Sequence, residues 1–281
     1  MKYTNNHKLP EYVYKWLIRD EYDHDSSTIS ATGLLKPAKA SYLTKLHKDE
    51  LEMDCTDLVA SRYGTALHNS FEEIELGEIQ EERYYAEFNG FTISGKPDIV
   101  IDNVLHDIKS TSVWKFIKGD FQEYVKQLSI YRWLLWKNDI HLHAIGQICF
   151  LFTDWSKGKT KHDPTYPQCR VTVQDLHLWD YDMTEAFISE RLLAIHNIDF
   201  ENQPDCTKEE LWAKDDEWAV KKKGAKRAIK LHKGLSQAQK ALKEGQEIEY
   251  RPGKVVRCNY CQVRPFCDQF KKMEKEGIIA D

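Results

Sequence analysis

Three β-rich runs separated by turn residues, RYYAEF at 83–88, FTISGKPDIVIDN at 91–103 and VLHDIKST at 104–111, place an antiparallel meander or hairpin set in the middle of the chain and load it with acids. Side chains alternate faces along a strand, and neighbouring strands lie about 4.8 Å apart. Asp98 and Asp107 are therefore expected on adjacent strands with their carboxylates side by side, and Lys109 on the same face as Asp107. Ile108, between them, points into the core, and its backbone carbonyl is a candidate further ligand. A sheet that gathers two acids and an ammonium in this way offers hard oxygen ligands of the kind that hold Mg²⁺ or Mn²⁺.

The flanking segments read as cover for that sheet. Residues 9–23 (LPEYVYKWLIRDEYD) look helical, and a second helix over 27–50 would be capped by its Ser/Thr-rich start. From 113 to 136, Trp114, Phe116, Ile117, Phe121, Val125, Leu128, Ile130, Tyr131 and Leu135 fit a helical face with a break near Gly119-Asp120. Two strand-like runs follow at 143–155 and 168–180, then a helix from Met183 to His196. This succession argues for an α/β (α+β) fold with a mixed central sheet flanked by helices. The expected organisation is an N-terminal helical cover at 1–60, a core at 61–200 and a C-terminal basic, Cys-rich lobe at 201–281.

With 281 residues the chain can bury a core without disulfide staples. No stretch approaches the roughly 20 apolar residues of a membrane span, and MKYTNNHKLPEY lacks the apolar segment of a secretory signal. A cytoplasmic setting, in a bacterial cell or a phage-infected host, is expected. There the seven cysteines read as thiols or metal ligands before disulfides. The net charge of −5 is no obstacle to binding nucleic acid, because local charge decides. Lys221, Lys222, Lys223, Lys226 and Arg227, with Lys230 and Lys233, suit phosphate contacts, and a solvated basic loop is the equally weighted alternative.

Around the acids stand two further signatures. GTALH places Gly64 and His68 four residues apart on a helix, where Gly64 would permit close approach to another backbone and His68 an imidazole suited to Mn²⁺. QLSIY places Gln127 and Tyr131 on one helix face, from which amide and phenol reach toward Lys109 and a bound phosphate. Each is weak alone. Glu72 and Glu87 are outer candidates, with ordinary exposed glutamates as the alternative. GKT at 158–160 lacks the upstream glycine of a P-loop, so an ATP-driven motor is disfavoured.

In this order, Gly64 to His68, Gly95 to Asp98, Asp107 to Lys109 and Gln127 to Tyr131 resemble the G-x-x-x-H, G-x-P-D, D/E-x-K and Q-x-x-x-Y motifs of the PD-(D/E)xK nuclease superfamily, and within it the RecB-like exonuclease branch. The resemblance implies a restriction-endonuclease-like core and hydrolysis of DNA with one or two Mg²⁺ or Mn²⁺ ions, His68, Asp98 and Asp107 being ligands. Lys109 would orient the attacking water. The setting implied is DNA recombination, repair or phage DNA processing, with a recombinase, annealing protein or helicase as possible partner. An adaptation-type or structure-specific endonuclease and a non-catalytic DNA-binding subunit stand as alternatives.

Cys258, Cys261 and Cys267 form C-x₂-C-x₅-C, three soft ligands within ten residues. This tail resembles the cysteine cluster of CRISPR-associated adaptation nucleases and AddB-type nucleases, which implies a [4Fe–4S] cluster completed by a cysteine ahead of a proline near the N-terminus. Here that stretch is Leu35-Lys36-Pro37, without the cysteine. Cys206 is the leading fourth ligand and Cys55 the second choice, while Cys149 reads as a buried thiol. Four thiolates would suit Zn²⁺ as well as iron–sulfur.

Overall fold

The computed structural model describes residues 2–19, 27–74, 78–80 and 82–280. They form two compact units, one of Met1–Lys36 with Glu52–Asn197 and the other of Pro37–Leu51 with Ile198–Asp281.

In the first unit, strand β1 (Lys2–Thr4) precedes helix α1 (Glu11–Ile18), so the first helix is shorter than expected; residues 20–23 of that run lie outside the described residues. Strand β2 (Ile29–Ser30) leads into helix α2 (Ala31–Leu34), capped by the Ser30 hydroxyl, which accepts from Gly33 N at 2.9 Å. The single helix expected over 27–50 does not form. Pro37 ends it, because proline disfavours α geometry in the residue before it and cannot donate a helical hydrogen bond. Helix α3 (Ala38–Leu46) then begins in the second unit. Back in the first unit, strand β3 (Glu52–Asp54) pairs in parallel with β1.

Helix α4 (Val59–Glu72) is followed by strands β4 (Ile79–Gln80), β5 (Tyr84–Phe88), β6 (Phe91–Gly95), β7 (Ile99–Ile101) and β8 (Val104–Thr111). Helices α5 (Val113–Lys118) and α6 (Gln122–Trp136) follow, then strand β9 (Ile145–Phe152), the single turn α7 (Lys157–Thr160), strand β10 (Val171–His177) and helix α8 (Tyr181–His196). The main sheet has the order β10-β9-β8-β7-β4. Its β8–β9 pair is parallel and the other pairs antiparallel. That parallel pair needs a crossover, which α5 and α6 provide. The break between them falls at Gly119, whose φ of 66° is a left-handed helix terminus suited to glycine.

The run 91–103 is not one strand. β6 pairs with β5 and β2 in a separate three-stranded sheet, whereas β7 belongs to the main sheet. The chain crosses from one to the other over residues 96–98, where Pro97 offers no ladder donor. Gly95 allows the crossing to press against α6: a Cβ there would lie 2.9 Å from both Tyr131 and Leu134. The core is built on α6, whose Leu128, Ile130, Trp133, Leu134 and Leu135 are fully buried, together with Ile148 and Phe150 of β9 and Ile188 and Leu192 of α8.

In the second unit, strands β11 (Glu217–Lys222) and β12 (Ala228–His232), helix α9 (Leu235–Ala241) and strand β13 (Gln246–Arg251) make an antiparallel sheet of order β12-β11-β13. Helix α10 (Asp268–Lys275) follows the cysteines. Leu43 of α3, Leu51 and Val263 form one apolar cluster, and His47 stacks on Phe266 with centroids 4.0 Å apart. Leu211, Val255 and Met273 form another. No helix among the described residues is long and apolar enough to cross a membrane.

Candidate active site

The β7–β8 register pairs Ile99 with His106, so the next position outward sets Asp98 opposite Asp107. Asp98 is not on the strand, as expected, but on the bend just before β7, because the crossing between sheets ends there. Its Oδ2 accepts from the Ile108 backbone N–H at 2.8 Å, which fixes the carboxylate against β8. Asp107 Oδ1 accepts from Lys109 Nζ at 2.7 Å and from Gln127 Nε2 at 3.2 Å. Strand alternation thus brings Asp107 and Lys109 to one face, and Ile108 is buried on the other.

The two acids are 7% and 1% exposed. Burial raises the Asp98 carboxyl to about 7, and the charge of Asp107 pushes the same way against the opposing pull of Lys109, His68 and the Ile108 N–H. Burial alone would lower Lys109, but Asp107 and Asp98 outweigh it and hold the ammonium above the ordinary lysine value. Asp107 Oδ2 lies 2.6 Å from Lys109 Nζ yet makes no hydrogen bond of acceptable geometry. A buried acid pair with one ammonium and an unsatisfied oxygen carries excess negative charge, which a hard divalent cation suits. Among the described residues no three His, Cys, Asp or Glu side chains converge into a ready metal cage.

His68, on α4, brings Nδ1 to 3.5 Å from Asp98 Oδ2. The close approach expected at Gly64 is absent: an added Cβ would meet no described atom within 4 Å, so this glycine faces open space. Gln127 Nε2 also donates to the Tyr131 hydroxyl at 3.4 Å, joining the two expected partners. Tyr124, one turn earlier on α6, was not singled out from the sequence. Its phenol is pushed up by burial and feels the charges of Lys109 and Asp107. The i, i+3, i+7 spacing of 124, 127 and 131 is the signal that marks it. Glu87 instead accepts from Thr92, and Glu72 is exposed at the end of α4.

The second unit holds Cys206, Cys258, Cys261 and Cys267, but among the described residues no three of them converge into a group that could hold a metal ion: Cys206 and Cys258 pack in one apolar cluster, Cys261 and Cys267 against another. The Cys206 thiol is pushed up to about 12 by burial first, then by the charges of Glu210 and Cys267 against the pull of Lys39, and Cys258 is pushed up to about 11 by burial first and then by Cys261 and Cys267. Cys261, raised first by burial, also feels Cys267. The Gln269 side chain clamps the Cys206 backbone, accepting from its N–H and donating to its carbonyl, both at 2.9 Å. Cys55 is buried in the first unit, Cys149 lies on β9 and Cys169 is exposed. In the basic segment, Lys221 is occupied by Glu249 and, at 3.4 Å, by Glu247, whereas Lys222, Lys223, Lys226 and Arg227 are exposed around the β11–β12 turn.

A mixed sheet that presents an acid pair and a lysine at the end of a β-hairpin defines a nuclease-type scaffold. The chain belongs to the PD-(D/E)XK nuclease superfamily, whose family model matches residues 31–268. A comparison with curated proteins finds no match. Among solved structures the chain is similar to SSO0001, at 17% identity and a TM-score of 0.46, covering 66% of this chain and 86% of that one. It is also similar to a phage-related exonuclease from Haemophilus somnus 129PT, at 16% identity and a TM-score of 0.28, covering 66% and 76%.

Proposed function

We propose that this nuclease is a Mg²⁺- or Mn²⁺-dependent DNA exonuclease of the RecB-like branch, acting in the cytoplasm in recombination, repair or phage DNA processing. The observation that carries the reading is the buried Asp98–Asp107 pair with Lys109 Nζ 2.7 Å from Asp107. His68, Asp98, Asp107 and the Ile108 carbonyl would hold the ion, which supplies Lewis acidity toward the scissile phosphate. Lys109 positions a water for attack on phosphorus. Gln127, bonded to both Asp107 and Tyr131, holds the acid and fixes the phenol's direction. Tyr131 and Gln127 then orient the phosphate, and the exposed Lys222, Lys223, Lys226 and Arg227 take up DNA backbone charge. Cys206, Cys258, Cys261 and Cys267 are read as the ligand set of a [4Fe–4S] cluster or a structural Zn²⁺ on the C-x₂-C-x₅-C spacing of three soft ligands, a reading that requires them to close together on the metal, since no three converge among the described residues.

The test is purified protein with end-labelled single- and double-stranded DNA and Mn²⁺. Release of short products from ends supports the reading. Internal cuts with intact ends would make it an endonuclease, and no metal-dependent release at all would remove the catalytic reading.

A further inference from the structure

Helix α5 turns only part of its apolar surface inward. Val113 is buried, and Phe116 packs its ring against Phe150 and Phe152 of β9 with centroids 5.4 and 5.5 Å away. Trp114 and Ile117 instead stay 56% and 40% exposed. The helix is fastened to the segment after β9, where Asp154 Oδ1 accepts from the Val113 N–H at 2.7 Å. That segment is braced in turn: Trp155 Nε1 donates to the Pro167 carbonyl at 2.8 Å, and the Ser156 N–H donates to the Tyr166 hydroxyl at 3.0 Å. Within the loop so closed stand Lys157, Lys159 and Lys161, all exposed. Lys159 Nζ lies 5.5 Å from the ring centroids of both Trp114 and Tyr166, a cation–π pairing that holds the indole in one orientation. Lys115 Nζ lies 5.4 Å from the Tyr124 ring. Tyr124 is one turn before Gln127 on α6, and Gln127 donates to Asp107, so the patch runs up to the acid pair within the first unit.

We propose that the exposed face of α5 and the lysines of the 157–161 loop form a binding surface for single-stranded DNA, on which Trp114 stacks one base while Lys115, Lys118, Lys157, Lys159 and Lys161 take the neighbouring phosphates. The inference rests on the nuclease reading above and adds to it the form of the DNA strand. Among the described residues none of these five lysines is in an ion pair, so their charge is directed at solvent or at a ligand rather than at an acid of the chain. Phosphates answer that charge in either a single strand or a duplex. The indole separates the two: a base inside a duplex hides both faces in the stack, whereas every unpaired base offers a π-face to an exposed aromatic ring. Because Phe116 is locked against β9 and Lys159 pins the indole, Trp114 is a platform set before the strand arrives, which spares the cost of ordering it on binding. A strand lying on α5 is led by Lys115 and Tyr124 toward Gln127 and the acids.

The experiment is fluorescence anisotropy of end-labelled oligothymidylate, and separately of a blunt duplex of the same length, titrated with the full chain in EDTA so that no cleavage competes. Trp114→Ala should keep the wild-type circular dichroism spectrum, since the indole is exposed, and bind the single strand roughly 5–100-fold more weakly, with a smaller loss on the duplex. Trp114→Phe should recover most of that affinity. Lys157→Gln, Lys159→Gln and Lys161→Gln combined should flatten the slope of log affinity against log salt by about 2. Wild-type affinity in Trp114→Ala would overturn the stacking surface, and so would equal losses on single strand and duplex, which would make it a face for duplex DNA. An unchanged salt slope in the triple variant would overturn the assignment of the lysines, and that slope decides should Trp114→Ala not fold. Mn²⁺-dependent release of labelled nucleotides separates this inference from the nuclease reading. Trp114-dependent binding by a chain that releases none would uphold the surface and overturn the reading, and cleavage with single-strand binding indifferent to Trp114 would do the reverse.

Discussion

Replacing Asp98 by asparagine should stabilise the metal-free protein at alkaline pH. The folded-state pKa of Asp98 is raised from 3.8 to about 7. A group shifted upward contributes stability that is fully present below the unfolded pKa and is lost as pH rises through the folded value. At about 1.4 kcal/mol per pH unit, ionised Asp98 costs up to about 4 kcal/mol by pH 8. Asparagine keeps the shape, and its carbonyl can still accept from the Ile108 N–H, a bond of 2.8 Å in the wild type. In urea unfolding with EDTA, Asp98→Asn should therefore exceed wild type by up to about 4 kcal/mol at pH 8, the difference fading toward pH 4. Adding Mn²⁺ should stabilise the wild type and not the variant. A difference that does not change with pH, or a variant less stable at pH 8, would refute the argument that an uncompensated buried acid pair defines this centre.

Asp107→Ala and Lys109→Ala should each abolish cleavage with circular dichroism unchanged, and Asp98→Ala should do the same; wild-type turnover in any of them, checked by active-site-independent purification tags, counts against the assignment. His68→Ala should slow cleavage most at limiting Mn²⁺, with Mn²⁺ at least as effective as Mg²⁺ for the wild type and EDTA abolishing activity; the readout is rate against metal concentration. Cys206→Ser should lower bound iron or zinc by elemental analysis and Cys55→Ser should not, and the reverse pattern would move the fourth ligand. Gly95→Ala should destabilise by about 1–3 kcal/mol through contact with Tyr131 and Leu134, whereas Gly64→Ala, in a helix with open space, should stabilise by up to about 1 kcal/mol; thermal melts distinguish them.

The Asp107–Lys109 pair was legible because strand alternation is a local rule: two residues apart on β8, they share a face whatever the rest of the chain does, whereas the place of Asp98 on the bend before β7 was not. The α5–α6 break was legible for the same reason, since Gly119 carries its left-handed geometry with it. Partnering between distant segments was not. Nothing within 91–103 tells that β6 and β7 serve different sheets, because the difference is made by β2 on one side and β8 on the other. Likewise Lys221 reads as one more cation in a basic run until β13 places Glu247 and Glu249 against it. Residues 37–51 group with 198–281 through contacts such as Leu43 with Val263, which no periodicity of the segment announces.

The crossing at residues 96–98 has a mechanical consequence. Asp107 rides on the main sheet, while Asp98 hangs from the seam where the small sheet hands the chain over. Its carboxylate is nevertheless fastened to the main sheet by the Ile108 N–H, so Asp98 works as a rivet across the seam, its backbone coming from one sheet and its side chain held by the other.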